Sequence, residues 1–148
     1  MINVKNEFLW FVSAPLRPEV DETIKGNALH AAKIIRVLEK SNLCVTAPYL
    51  GIILGDILDD RSKEERERGM QIDLQVLRRC DGNILIGDRL SSGMQGEAEY
   101  ACRLNKPVYN LVDQDLEEVY TNAKLLKKYE MDVMNGIGGM FGPEMFKW

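Results

Sequence analysis

The sequence of 148 residues contains little of what several common kinds of site require. It has one histidine, His30, and three widely spaced cysteines, too few for a typical zinc site or a disulfide framework. We expect Cys44, Cys80 and Cys102 to be buried, reduced thiols. The chain has 19 lysines and arginines against 23 acidic residues, a net charge of −4. Without a basic excess, a nucleic acid polymer and an anionic membrane surface are poor partner candidates.

Long apolar runs are also missing, so we expect no membrane-spanning segment, no signal peptide and a cytoplasmic location. The composition is nevertheless 45% hydrophobic and 28% charged, which is typical of a protein with a well-packed core. No repeat or linker divides the chain. The sequence therefore predicts a single domain over residues 1–148.

Short apolar segments alternate along the chain with amphipathic helical patterns. The predicted strands are 7–13, 43–48, 83–87 and 107–112, and the predicted helices are 21–41, 62–80, 95–105 and 114–130. This order predicts an α/β fold of the flavodoxin or Rossmann type, with a mostly parallel sheet of four to five strands and helices on both faces. Ligands of such sheets bind at the carboxyl ends of the strands. The loops after the first three strands are therefore the candidate site.

Two carboxylates stand out by the helix faces they occupy. Glu97 lies beside the apolar side of the third predicted helix and in its first turn, where the helix dipole favours an ionised carboxylate. Glu99 stands four residues before Arg103, as in an exposed ion pair. Asp73 interrupts the apolar stripe of the preceding helix, which is formed by Met70, Leu74, Leu77 and Cys80. From spacing alone, a structural role is about as plausible for each acid as a catalytic one. Two acids that face one cleft would suit glycosyl chemistry.

The loop before the third helix contains residues that can hold an anion. Ser91, Ser92 and Gly93 precede a helix N-terminus, where backbone N–H groups and hydroxyls bind phosphate. Arg17, after the first strand, would add a planar charged donor. Either feature alone is common in turns and on surfaces. Together they favour a monophosphate ligand.

These segments, taken in order, resemble the nucleoside 2-deoxyribosyltransferase superfamily. The resemblance rests on the loop with Ser13 and Arg17, on "DLQVLRRCD" and on "ILIGDRLSSGMQGEAEYACRLNKPV", and it covers roughly residues 8–112. The superfamily includes deoxyribonucleoside 5′-monophosphate N-glycosidases, CMP hydrolases and small, often phage-borne relatives. Its deoxyribosyltransferases that use free nucleosides carry Asp-Asp-Gly where this chain has Ser91, Ser92 and Gly93, so the resemblance favours the anion-binding branch.

The resemblance implies a role for particular residues. Glu97, in a Gly-x-x-x-Glu context, would be the nucleophile, and Asp73 would assist at the base or sugar. The implied phosphate ligands are Ser13, Arg17, Ser91 and Gly93, with Ser92 beside them. Position alone makes Tyr49, Asp88 and Met94 candidate base or sugar contacts. For Tyr49 a place in the core or rim is the stronger alternative, and Asp88 could instead orient Arg17 or Ser91 or cap its loop. The implied reaction is hydrolysis of the base–sugar bond of a (deoxy)ribonucleoside 5′-monophosphate, with no metal or organic cofactor.

Two alternatives stay open: a deoxyribosyltransferase that exchanges bases, and a non-catalytic protein that binds or sequesters nucleotides. The sequence names neither the base nor the sugar. Residues 130–148 form an apolar tail that includes Met140, Phe141 and Trp148. Because superfamily members assemble as dimers or larger oligomers with C-terminal residues at a neighbour's pocket, the resemblance implies a homo-oligomer whose tail docks on a neighbouring subunit or closes the site.

Overall fold

The computed structural model of the chain describes residues 2–136 and 148. Strands and helices alternate from the first element to the last, with one additional helix after the second strand. Their order is β1 (Leu9–Ser13), α1 (Ile24–Lys40), β2 (Cys44–Thr46), α2 (Pro48–Leu54), α3 (Lys63–Arg79), β3 (Gly82–Leu85), α4 (Ser92–Arg103), β4 (Val108–Asn110) and α5 (Leu116–Met134).

The described strands form one parallel sheet in the order β2-β1-β3-β4. In the central pair, Trp10 lies opposite Gly82 and Ser13 lies opposite Leu85. All four strands point the same way, so their carboxyl ends meet at one edge, and the order changes direction between β1 and β3. The predicted α/β fold is confirmed, and this edge is where such sheets bind ligands.

Helices cover both faces of the sheet. On one face, α1 and α5 enclose Trp10, Ile84 and Tyr109 in the larger core cluster. On the other face, α3 and α4 pack over Phe11 and Leu85. Alternate residues of each strand point to opposite faces, and both faces are apolar here. The strands are therefore buried from both sides, as the short uninterrupted apolar runs predict.

Helix α2 was not among the predicted elements. Gly51 and Gly55 made its sequence typical of turns, but Pro48 occupies the first helical position, where its fixed φ suits a helix and no N–H bond is lost. Tyr49, in the first turn, is buried and anchors the helix to the core. This extra helix adds a wall beside the carboxyl edge of the sheet.

Helix α4 begins at Ser92, three residues before its predicted start at Gln95. Ser91 is the N-cap, and its side chain accepts a hydrogen bond from the backbone N–H of Met94. Glu97 is therefore the sixth helical residue and lies in the second turn. Because the stabilising effect of the helix dipole is confined to the first turn, the predicted support for an ionised Glu97 from this source is wrong.

The apolar stripes of α3 and α4 are narrower than predicted. Met70 is 56% exposed, and Cys102 is exposed while Cys80 is buried. The prediction of three buried thiols therefore holds for Cys80 only: Cys44 is partly buried, and Cys102 is exposed because the part of α4 that carries it faces away from the sheet. No helix among the described residues is long and apolar enough to cross a membrane.

The predicted docking of the C-terminal tail falls largely outside the described residues, which omit 137–147. Helix α5 extends to Met134, four residues beyond the predicted end. Trp148 lies beside the edge of the sheet, where its backbone N–H donates a hydrogen bond of 3.2 Å to the carbonyl of Val108.

Candidate active site

A cavity of about 1000 Å³ opens at the carboxyl edge of the sheet. Its size is at the upper end of the range for small-molecule sites. The loop after β1, helix α2, the sheet-facing side of α3 and the N-terminal half of α4 form its walls. Of the residues predicted from sequence to form the site, eight line it: Arg17, Tyr49, Asp73, Ser91, Ser92, Gly93, Met94 and Glu97.

Glu97 and Asp73 face this cavity from neighbouring helices. Burial raises the pKa of Glu97 from 4.5 to about 8; the nearby charge of Asp73 adds to the shift, and a hydrogen bond with the Ser13 side chain opposes it. Burial alone raises the pKa of Asp73 from 3.8 to about 7. Each carboxyl group therefore holds a proton in a pH range where an exposed one would be ionised.

Asp73 differs from a buried carboxylate that serves only to hold the fold together. Glu130, fully buried on α5, accepts hydrogen bonds from the indole N–H of Trp10, the backbone N–H of Phe8 and the ammonium of Lys127. The Oδ1 atom of Asp73 is buried and has no hydrogen-bond partner within the described structure. An unpartnered buried polar atom lowers the stability of the fold. The position of Asp73 is therefore better explained by contact with a ligand than by a structural role.

Ser13 does not lie on the cavity wall. Its side chain is completely buried and accepts a 2.9 Å hydrogen bond from Nδ2 of Asn83 on the neighbouring strand. The side chain at the last position of β1 points beneath α4 rather than into the open end of the cleft. Its predicted role as a direct phosphate ligand is therefore inconsistent with its position, whereas its contact with Glu97 is not.

The N-terminus of α4 forms one end of the cavity. Ser92 and Gly93 are the first two helical residues and both are exposed, so their backbone N–H groups belong to the set that has no partner within the helix. The Ser91 Oγ accepts the capping bond from Met94, which leaves its O–H free to donate. Exposed N–H groups, a hydroxyl and the positive end of a helix together suit an anion.

Among the described residues, four arginines line the cavity: Arg17, Arg66, Arg89 and Arg103. Arg17 and Arg89 come from the loops after β1 and β3 and are held differently. Arg17 is exposed and lines the cavity. Arg89 forms ion pairs with Glu22 at 2.9 Å, Glu19 at 3.3 Å and Asp88 at 3.3 Å. Its hydrogen bond is the largest of the effects that lower the pKa of Glu22 to about 2. Arg89 also donates to the backbone carbonyl of Arg17 and so ties the loop after β1 to the loop after β3.

Asp88 is among these partners rather than among the residues of the cavity wall. Its side chain is 60% exposed and pairs with Arg89, so the prediction that it contacts the base or sugar is not supported by its place. The same two loops also touch at Gly87, which has a φ of +108° and lies against the Pro15 ring, where a Cβ atom would come within 2.5 Å of Cδ. A glycine is required at this close approach.

The wall opposite α4 is largely apolar. Ile52 and Ile53 from α2, Leu58, and Met70 and Leu74 from α3 line it. Tyr49 also lines the cavity, and its hydroxyl donates a 2.8 Å hydrogen bond to the carbonyl of Val12. Met94 is almost completely buried, and its sulfur accepts from the N–H of Ser91. This wall can accommodate a flat, weakly polar group such as a nucleobase.

We expect Tyr49→Phe to lower the free energy of unfolding by about 1–2 kcal/mol, because it leaves the buried Val12 carbonyl without this donor. Ligand affinity should change little, since the phenol oxygen is already engaged with the backbone. Urea denaturation and calorimetric titration with a nucleotide would measure the two effects. A large loss of affinity with unchanged stability would show instead that the hydroxyl contacts the ligand.

Sequence reasoning missed two residues of this region. Arg89 forms ion pairs with three carboxylates, whereas Arg17 is exposed. The sequence feature that could have identified Arg89 is its position directly after Asp88 at the end of a strand. Asn83 is a completely buried amide within β3, and its signal was a polar residue at a strand position flanked by apolar ones. In the part of the chain that the structure describes, no three His, Cys, Asp or Glu side chains are grouped as a metal ion would require.

Comparisons with known proteins relate the chain to a family of unknown function and to solved structures. Residues 9–111 match the model of a family described as a domain of unknown function, DUF7768. A solved structure of a 2-deoxyribosyltransferase from the psychrotolerant bacterium Bacillus psychrosaccharolyticus superposes with a TM-score of 0.53 and 20% sequence identity, over 78% of this chain and 81% of the other. At this identity the similarity shows a shared fold. No curated protein matches the chain.

Proposed function

The chain belongs to the DUF7768 family, and we propose that it is an N-glycosidase that cleaves the base–sugar bond of a (deoxy)ribonucleoside 5′-monophosphate. The observation that carries this proposal is the pair of inward carboxyl groups, Glu97 and Asp73, on one cavity that has an anion-binding end. Paired carboxyl groups attend the oxocarbenium-like transition state of glycosyl transfer. The order of the resembling sequence motifs supports the same reaction.

The protonation state of the pair suits the two roles. The two partly buried groups interact, since the charge of Asp73 acts on Glu97. Their pKa values near 7 and 8 place the singly protonated pair around neutral pH. In that state one carboxylate can attack carbon while one carboxylic acid can donate a proton. Before substrate binds, the higher pKa of Glu97 places the single proton of the pair on Glu97. We assign attack to Glu97 and proton donation to Asp73, as the sequence resemblance implies, and these roles require the proton to move to Asp73 when the substrate binds.

The reaction then proceeds in two steps. A carboxylate oxygen of Glu97 bonds to C1′ as the C1′–N bond breaks, and the departing base nitrogen takes the proton of Asp73. A water molecule next attacks C1′ and displaces Glu97, while a proton of that water passes to Asp73. The products are a free base and a sugar 5-phosphate. The pair ends in its starting protonation state, as a double-displacement mechanism requires.

The other walls of the cavity supply binding. The 5′-phosphate is placed at Ser91, Ser92 and Gly93, with Arg17 at the rim as a second contribution. Arg89 holds the carbonyl of Arg17 and so fixes the backbone from which that side chain projects. The base is placed against the apolar wall formed by α2 and α3.

Base exchange is the second candidate, and the likeness to a solved 2-deoxyribosyltransferase favours it. The chemistry of the first step is identical, and a second base rather than water then takes the sugar from Glu97. The anion-binding end of the cavity favours the monophosphate hydrolase. The outcome depends on how well the occupied cavity excludes water.

Incubation of the purified protein with a panel of NMPs and dNMPs, with and without a second free base, separates these functions. Chromatography that shows free base and sugar phosphate supports the hydrolase, and a new nucleotide formed only with the second base supports the transferase. The Glu97→Gln protein is the blank for both. If neither product forms but nucleotides raise the melting temperature, the protein is a binding module and the enzymatic proposal is wrong.

We expect kcat/KM to show a bell-shaped dependence on pH with its maximum between about 7 and 8, the two pKa values of the pair. At lower pH both carboxyls are protonated and Glu97 cannot attack; at higher pH both are ionised and Asp73 cannot donate. Initial rates from about pH 5 to pH 10 would measure both limbs. Asp73→Asn should remove the alkaline limb, and a maximum near pH 5 would contradict the assigned pair.

A further inference from the structure

Two polar side chains lie where the sheet is otherwise apolar, directly beneath α4. Ser13 and Asn83 are both completely buried and sit on the face of β1 and β3 that also carries Phe11 and Leu85. Buried polar groups in such a layer require hydrogen-bond partners. Their partners form a chain that leads to Glu97.

The orientation of that chain is fixed by its acceptors. The Nδ2 group of Asn83 donates to the carbonyl of Phe11 and to the Oγ of Ser13, each at 2.9 Å. A carbonyl can only accept, so the nitrogen rather than the oxygen of the amide must face Phe11. Since Ser13 Oγ accepts from the same nitrogen, its own proton is directed elsewhere, and the effect of Ser13 in lowering the Glu97 pKa points to that carboxyl group as the acceptor.

Asn83 makes this arrangement at a cost to the fold. Its Oδ1 atom is buried and has no partner within residues 2–136 and 148. An aliphatic side chain at this position would avoid an orphaned acceptor. The amide is therefore poorly explained by stability alone and better explained by what its two N–H groups hold.

We propose that Asn83 and Ser13 are positioning residues for Glu97: Asn83 orients the Ser13 hydroxyl, which donates to the Glu97 carboxylate and holds it toward the cavity. The role of Glu97 as nucleophile rests on the function proposed above, whereas the hydrogen-bond chain itself does not. Neither positioning residue touches substrate.

The surroundings of Glu97 explain why a donor from the sheet is needed. Asp73 on α3 disfavours its charge, and the Tyr49 phenol on α2 lies within electrostatic range of it. The Tyr49 hydroxyl is engaged with Val12, and Glu97 lies beyond the first turn of α4. Ser13, on β1, supplies a hydrogen bond that stabilises the ionised form.

Carboxyl ¹³C NMR titration of Glu97 in protein labelled at glutamate, with Glu97→Gln used for assignment, tests the proposal without substrate. We expect Ser13→Ala to raise the Glu97 pKa by about one pH unit, Asn83→Leu to raise it by less, and the double variant to match Ser13→Ala. Ser13→Cys, with a weaker donor, should give an intermediate shift and covers the case that the alanine variant does not fold. Ser41→Ala, which also removes a buried hydroxyl, is the matched control and should give no shift.

The proposal is overturned if Ser13→Ala and Ser13→Cys leave the Glu97 titration unchanged, or if Asn83→Leu shifts it equally with and without Ser13. Where the protein is active, the acid limb of kcat/KM should move to higher pH by the same amount, which a merely structural role would not produce. An inactive protein in which the titration still shifts would refute the N-glycosidase function and retain the positioning chain. Failure of the two proposals is therefore distinguishable.

Discussion

Glu97→Gln is expected to lower turnover of the nucleoside 5′-monophosphate by roughly 10³-fold or more, because a neutral amide cannot form the ester to C1′. Glutamine has nearly the shape of glutamate, so the ligand should still bind. Base release, measured by chromatography, should therefore fall sharply, whereas ligand affinity, measured by calorimetry, should change little.

The matched control for this experiment is Glu99→Gln. Glu99 lies two residues further along the same helix and is exposed, so the same substitution is made outside the cavity. We expect its turnover to stay within about twofold of the unmodified protein, since exposed substitutions have small effects. Equal losses in the two variants would indicate that the charge of α4, and not a nucleophile at position 97, matters.

The covalent step can be tested directly with a 2′-fluoro nucleotide. Fluorine destabilises an oxocarbenium-like transition state and slows both steps, so a sugar phosphate should accumulate on the protein. Proteolysis and mass spectrometry should find the added mass on the peptide that contains Glu97. An adduct on another carboxylate would identify that residue as the nucleophile instead of Glu97. Fast turnover with no adduct on the protein would argue for direct attack by water.

The alternation of the elements was predictable because each strand of this sheet is buried on both faces. Such strands read as short apolar runs, and the covering helices carry a 3.6-residue apolar period. Helix α2 was not predictable in the same way: its seven residues are too few to show a period, and its glycines are typical of turns. It is held in place by burial of Tyr49, which depends on the assembled core.

The inward facing of Glu97 and Asp73 was also predictable, since a helix face follows from spacing alone, and both residues line the cavity. Their catalytic roles stay predictions. The place of Ser13 was not predictable, because the side that a strand residue faces depends on how the strand pairs. Arg89 was missed for a related reason: its partners Glu19 and Glu22 are about 70 positions away in the chain and meet it only through loop packing.

Glu97→Gln should also stabilise the protein, by an amount that grows with pH. In the unfolded chain the Glu97 pKa has its ordinary value of 4.5, and in the folded protein it is about 8. The folded state thus binds this proton more tightly, so its contribution to stability is complete below pH 4.5 and is lost as pH rises through 8. Glutamine remains neutral throughout and avoids this loss.

We therefore expect the free energy of unfolding of Glu97→Gln to match that of the unmodified protein near pH 4 and to exceed it by roughly 2–4 kcal/mol near pH 9. Urea denaturation at several pH values would give the difference, and Glu99→Gln should show none. Because part of the shift comes from Asp73, Asp73→Asn should stabilise as well, and the double variant should gain less than the sum of the two. A difference that does not vary with pH would show that Glu97 is not desolvated beside Asp73. It would also remove the physical basis for the role of Glu97 in the cavity.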